Sequence, residues 1–244
     1  MSLRVTGAVA ARVLAQLRRD PRTIALIVGV PCLLETLLKE LFAGGSPVFQ
    51  HVGAPLLGLF PFVTMFLVTS ITMLRERTTG TLERLMTLPL GKFDLLAGYG
   101  AAFAVFAALQ AAVVSSLAFG LLGLHVAGPR VVVAALAVAN AVLGSTLGLF
   151  VSAFAQTEFQ AVQFMPAMVF PQILLCGLFV GRSSMAAWLR WISDALPLTY
   201  AYDALAHTAS NTLDGRFAAD VAVVCGCIVL ALALGAATLR RRTS

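Results

Sequence analysis

The chain has 244 residues, of which 59% are hydrophobic and 11% charged, with a mean hydropathy of +0.93. An average soluble domain is roughly 25% charged, so this composition excludes a water-soluble globule. The net charge of +6 fits membrane orientation better than a nucleic-acid partner.

Lipid leaves no partner for unpaired backbone groups, and the apolar runs are too long and continuous for a transmembrane barrel. The reading is therefore an all-α polytopic membrane protein, one transmembrane domain over residues 1–244. Residues 1–22 place Leu3, Val5, Val9, Val13, Leu14 and Leu17 against Arg4, Arg12, Arg18 and Arg19. That pattern predicts an amphipathic helix in the membrane interface, with its arginines toward lipid headgroups. It also reads as something other than a cleavable signal peptide, because arginines interrupt the early apolar residues. Asp20-Pro21 ends it.

The first expected span is 23–41. Glu35 lies in its outer half, with Lys39 at i+4. Two readings stay open: a structural Glu35–Lys39 pair near the outer interface, or a carboxylate lining a substrate path. The second span is 54–74, with Pro61 as an expected kink. The third lies within 93–124 and the fourth at 131–154, where Gly144-x-x-x-Gly148 offers a face for close helix approach. A small polar connector, residues 155–163, precedes a fifth span at 164–180. Residues 181–217 predict one or two short helices dipping into the outer leaflet, with Trp188, Trp191, Tyr200 and Tyr202 as an aromatic belt. The sixth span is 217–239.

With the N-terminus inside, twelve Lys and Arg fall on the cytoplasmic side (Arg4, Arg12, Arg18, Arg19, Arg22, Arg75, Arg77, Arg84, Lys92, Arg240, Arg241, Arg242). Five fall outside (Lys39, Arg130, Arg182, Arg190, Arg216). That asymmetry predicts both termini in the cytoplasm and an even number of spans.

The most charged internal stretch is Met73–Pro89, where Arg75, Arg77 and Arg84 alternate with Glu76 and Glu83. Leu82, Leu85, Met86 and Pro89 recur at helical spacing. A short amphipathic helix from Thr81 follows, capped by Gly80 with Glu83 at the third helical position. A solvated basic loop also fits this pattern.

No Gly-x-x-x-x-Gly-Lys-[Ser/Thr], His-Glu-x-x-His or Gly-x-Ser-x-Gly occurs in the chain. Cys32, Cys176, Cys225 and Cys227 sit in apolar runs without ligand spacing, so neither a metal nor a redox site is expected. Glu35 is the one acidic candidate for a proton- or sodium-driven carrier, and a permease driven by an outside energy source fits better.

Two motifs carry a resemblance. R-E-R-T-T-G-T-L-E-R-L-M-T-L-P at 75–89 is similar to the E-x-x-x-G-T-L-E-x-L-x-x-x-P stretch of type-2 ATP-binding-cassette (ABC) exporter membrane subunits. L-P-L-T-Y-A-Y-D-A-L at 196–205 is similar to their N-P-L-T-Y-x-x-D-x-L stretch, with Leu196 where that family often has Asn. The six-span plan resembles theirs as well. The resemblance implies a permease pairing with a second copy or a homologue. Separate cytoplasmic ATPase subunits would bind Mg-ATP, and no cofactor would reside in this chain. Arg75, Glu76, Gly80, Thr81, Leu82, Glu83, Arg84, Leu85, Met86 and Glu158 would couple the two. Leu82, Leu85 and Met86 would dock in a partner groove, while Glu76, Glu83 and Arg84 set register. Pro197, Thr199, Tyr200 and Asp203 would form the outer-loop motif. The apolar composition suits an amphiphilic drug, antibiotic or lipid substrate more than a polysaccharide. A scaffold subunit or a secondary carrier is the alternative class. A prokaryotic plasma membrane is the expected location.

Overall fold

The computed structural model describes residues 3–42, 48–87, 91–212 and 214–238. Ten α-helices build it: α1 Leu3–Arg18, α2 Pro21–Leu41, α3 Val48–Thr78, α4 Thr81–Thr87, α5 Lys92–Gly120, α6 Arg130–Val151, α7 Glu158–Leu175, α8 Ala187–Ala195, α9 Pro197–Ala209 and α10 Gly215–Thr238. There is no strand among the described residues. Among the described residues four helices, α3, α5, α6 and α10, are long and apolar enough to cross a membrane. The expected Arg240–Arg242 tail lies outside the described residues.

Helix α3 is the axis. Each apolar cluster contains part of it: Met65 and Met73 in one, Phe49, Ala54 and Leu57 in another, Phe62 and Phe66 in a third, Leu74 in a fourth. It runs on through Pro55 and Pro61 and past the expected boundary at residue 74. Arg75, Glu76 and Arg77 do not end it, because straight-chain charged residues are good helix formers. At 31 residues it is about 46 Å long, half as long again as a span requires.

Its closest neighbour is α6. A Cβ on Gly148 would lie 2.5 Å from the Phe66 carbonyl oxygen, and one on Gly144 would strike the Phe62 carbonyl. Asn140 continues the same stripe over Gly58. The small-residue face read at 144–148 thus meets the α3 backbone.

Other boundaries move for local reasons. Helix α7 starts at Glu158, inside the expected polar connector. Thr157 Oγ1 accepts from Gln160 N at 3.2 Å, while Gln160 Oε1 reaches back to accept from Gln156 N at 2.8 Å. This reciprocal pattern starts a helix. Helix α7 ends before Gly177, whose φ of +106° suits glycine.

Helix α1 presents Val9, Val13 and Leu17 to α5, where Gly98 leaves room for the Val9 side chain. Val9, Val13 and Leu17 are therefore buried on protein, while Leu3 stays exposed. Arg4, Arg18 and Arg19 remain exposed, but Arg12 turns inward.

Helix α2 carries Pro31, which has no N–H to offer the Ile27 carbonyl one turn earlier. Gln110 of α5 fills that gap, donating through Nε2 to Ile27 O at 2.7 Å and to Thr64 Oγ1 of α3 at 2.6 Å. Of the two readings open for Glu35, the Glu35–Lys39 pair does not form, since both Glu35 oxygens are buried without a protein partner.

Candidate functional site

The two polar connectors singled out in the sequence meet at one end of the bundle. Arg75 Nε donates to Glu158 Oε1 at 2.6 Å and Arg75 Nη2 to Oε2 at 3.2 Å, joining α3 to α7 across 83 residues. Both side chains are more than half exposed. The Arg75 guanidinium holds the Glu158 carboxyl below its usual range.

Glu76, one residue on, points the opposite way. It is buried, and Arg12 of α1 grips it at 2.9 and 3.1 Å. Arg12 also donates to Tyr99 Oη of α5 at 3.3 Å. Arg12 therefore ties three helices together, and the motif's Glu76 is held inside the bundle. Arg12 is the residue that sequence reasoning missed. Its partner lies 64 positions away, and nothing local marks it.

Between α3 and α4 the chain turns at Gly80, with φ +71°. Gly80 N–H donates to the Arg77 carbonyl at 3.3 Å, and its own carbonyl accepts from Arg84 N at 3.0 Å. One left-handed residue thus closes α3 and opens α4. Gly80 stands directly before α4, and the Glu83 side chain expected to reach back to it lies outside the described residues. Thr79 Oγ1 donates to Arg75 O at 2.7 Å and lies 3.0 Å from Thr81 Oγ1, bracing the turn.

Helix α4 then folds back on its own chain. Leu82 is 3% exposed inside the cluster of Val9, Val13, Leu17, Met73 and Leu95, and Leu85 packs against the same cluster. Leu82 is thus taken up by the protein's own core, and Leu85 is half-buried at its edge. Burying Leu82 contributes about 2 kcal/mol to holding α4 in place. Arg84 and Thr87 face outward. The side chains of Glu83 and Met86 lie outside the described residues, as do residues 88–90.

The outer-loop motif sits at the other end. Pro197 occupies the first turn of α9, where its missing N–H costs nothing, and Leu196 before it supplies no side-chain cap. Thr199 is buried, donating to Ser193 O at 2.8 Å, and Tyr200 Oη donates to Asp194 O at 2.6 Å. Arg182 bridges Asp194 and Asp203, the latter at 2.7 Å. Burial lifts the Asp203 carboxyl above its usual range, against the pull of Arg182. These bonds fasten α8 and α9 to each other, and α9 shares a cluster with the first turns of α3 through Ala204, Leu205, Phe49 and Ala54. No group of acids, His and Cys suited to a metal exists among the described residues.

The described residues thus present an exposed charged corner, a long central helix, and a fastened pair of short helices at the far end. The family profile described as ABC-2 type transporter matches residues 4–209. ABC transporter G family member 20 of Dictyostelium discoideum is 24% identical over 173 residues, covering 70% of this chain and 24% of that protein. The probable multidrug ABC transporter permease YbhR of Escherichia coli K12 is 25% identical over 148 residues, 61% of this chain and 40% of the relative. The chain thus spans less than half the length of these curated relatives. It is a membrane permease component and belongs to the ABC-2 type transporter family.

Proposed function

We propose that this chain is the transmembrane subunit of an ATP-driven exporter, and that the corner of α3, α4 and α7 receives the force. The carrying observation is the Arg75–Glu158 pair, which brings the two polar connectors to one exposed surface beside α4. In this reading the corner faces the cytoplasm, both termini lie on that side, and α2 and α7 complete six spans with the four longer apolar helices. Mg-ATP is bound and hydrolysed by separate subunits that dock here. A second permease copy or a homologue completes the pathway.

Force arriving on α4 does not act on α3 alone. Leu82 and Leu85 transfer it to α1 and α5, and Arg12–Glu76 keeps those helices moving with α3. Helix α3 carries the motion to α9 at the opposite end. Among the described side chains, Arg84, Thr87 and the Arg75–Glu158 pair are exposed at this corner, which fits charge-directed docking. The substrate is an amphiphile such as a drug, an antibiotic or a lipid, a reading supported by the apolar helix faces and by a relative named for multidrug transport.

The test is reversal of charge at the corner. Glu83→Arg and Arg84→Glu, co-expressed with the ATPase subunit, should cut its co-purification and substrate-stimulated hydrolysis about tenfold, with permease stability kept within ~0.5 kcal/mol. Normal transport with normal co-purification in both variants would refute the proposal. So would transport by the purified permease in liposomes with an ion gradient and no ATP.

A further inference from the structure

Glu35 differs from the other acids of the bundle. It is fully buried, and neither carboxylate oxygen has a protein hydrogen-bond partner. Arg12 pairs with Glu76, Arg75 with Glu158, Arg182 with Asp194 and Asp203, and His207 with Asp220; none of these pairs reaches Glu35.

The helices packed on α2 are α1, α3 and α5. Their ionisable groups are Arg4, Arg12 and Arg18 on α1, His51 near the start and Arg75, Glu76 and Arg77 near the end of α3, and Lys92, Asp94 and Tyr99 within the first eight residues of α5. On α2 itself Cys32 precedes Glu35 by three residues, and Lys39 and Glu40 follow it. An ionised carboxylate in such surroundings is disfavoured, because nothing replaces the water it loses.

The same face of α2 carries Ile27, Pro31 and Glu35, while Leu33, Leu34 and Leu37 point outward. Pro31 interrupts the backbone ladder between the half of α2 held by Gln110 and the half that carries Glu35. The helix therefore has a built-in break one turn before the buried acid.

We infer that Glu35 is a proton-binding site: it carries a proton while α2 is packed against α3 and α5, and releases it when the part of α2 beyond Pro31 swings away. On release the O–H bond breaks, the proton passes to water reaching the opened site, and a hydrated carboxylate remains. Protonation then favours the closed packing, so α2 responds to pH. The site stands whether or not α4 docks an ATPase.

Infrared spectroscopy of the full chain in lipid bilayers reads the proton directly. At neutral pH the wild type should show the C=O stretch of a protonated acid, and Glu35→Gln should lose it. Dicyclohexylcarbodiimide, which attacks protonated acids in apolar surroundings, should modify the Glu35 peptide of the wild type and leave Glu35→Gln at background. Lys39→Ala should leave the acid band unchanged, and a loss of that band would show that the two residues are linked and overturn the assignment. Pro31→Ala, which restores the ladder, should raise the pH at which the band disappears. Loss of ionised-carboxylate bands in Glu35→Gln, in place of the acid band, would overturn the proton site. An unchanged titration in Pro31→Ala would overturn the swing.

Discussion

Replacing Arg12 by methionine keeps most of the side-chain stem and removes the charge. Glu76 then stays 4% exposed with no cation against it, and Tyr99 loses its donor. Breaking a buried ion pair on one side costs about 3–5 kcal/mol. Arg12 itself is 34% exposed, so water can reach the vacated space, and about 2 kcal/mol is the expected loss. Glu76→Leu should cost a similar amount. The double variant Arg12→Met, Glu76→Leu leaves no buried charge and should recover part of the loss, giving a coupling energy of about 1–2 kcal/mol. Equilibrium unfolding of the four proteins in one detergent measures this directly. Single variants within ~0.5 kcal/mol of wild type, with additive effects, would show that the clamp contributes nothing and that α1 is not tied to α3.

Three further outcomes follow from the packing. Gly144→Ala drives a methyl into the Phe62 carbonyl and should destabilise the bundle by about 1–3 kcal/mol in thermal unfolding, whereas Gly29→Ala, with open space at its Cβ, should not. Gln110→Leu leaves the Ile27 carbonyl without a donor and should cost about 1–2 kcal/mol, read in the same assay and by faster amide exchange around Pro31. The Arg75–Glu158 pair is exposed and should be worth only about 0.5 kcal/mol. Because Arg75 lowers the Glu158 carboxyl, the pair's contribution is complete above the usual carboxylate range and is lost as pH falls through the lowered value. Glu158→Gln should therefore lose its small deficit against wild type in acid, while a constant deficit across pH would contradict the pair.

The helices were legible because lipid-crossing segments announce themselves as apolar runs, and the Gly80 turn because few residues fit a left-handed junction. The start of α7 was also readable: Thr157 and Gln160 stand at capping spacing, a signal overshadowed by the polarity of the connector. The burial of Glu76 was not readable, since its environment is made by Arg12 and Tyr99 from distant parts of the chain. Leu82 and Leu85 formed a visible stripe, but spacing shows only that a helix has an apolar face. It does not say which body that face meets. Here the chain's own core lay closer than any partner.

The central claim is that the Gly80 corner lies on the cytoplasmic side and is covered by the ATPase. Arg84→Cys, in a background lacking Cys32, Cys176, Cys225 and Cys227, tests it with a membrane-impermeant maleimide. Labelling is expected in inside-out vesicles, none in intact cells, and protection when the ATPase subunit is bound. Labelling from outside intact cells, or labelling that the bound ATPase leaves unchanged, would contradict it.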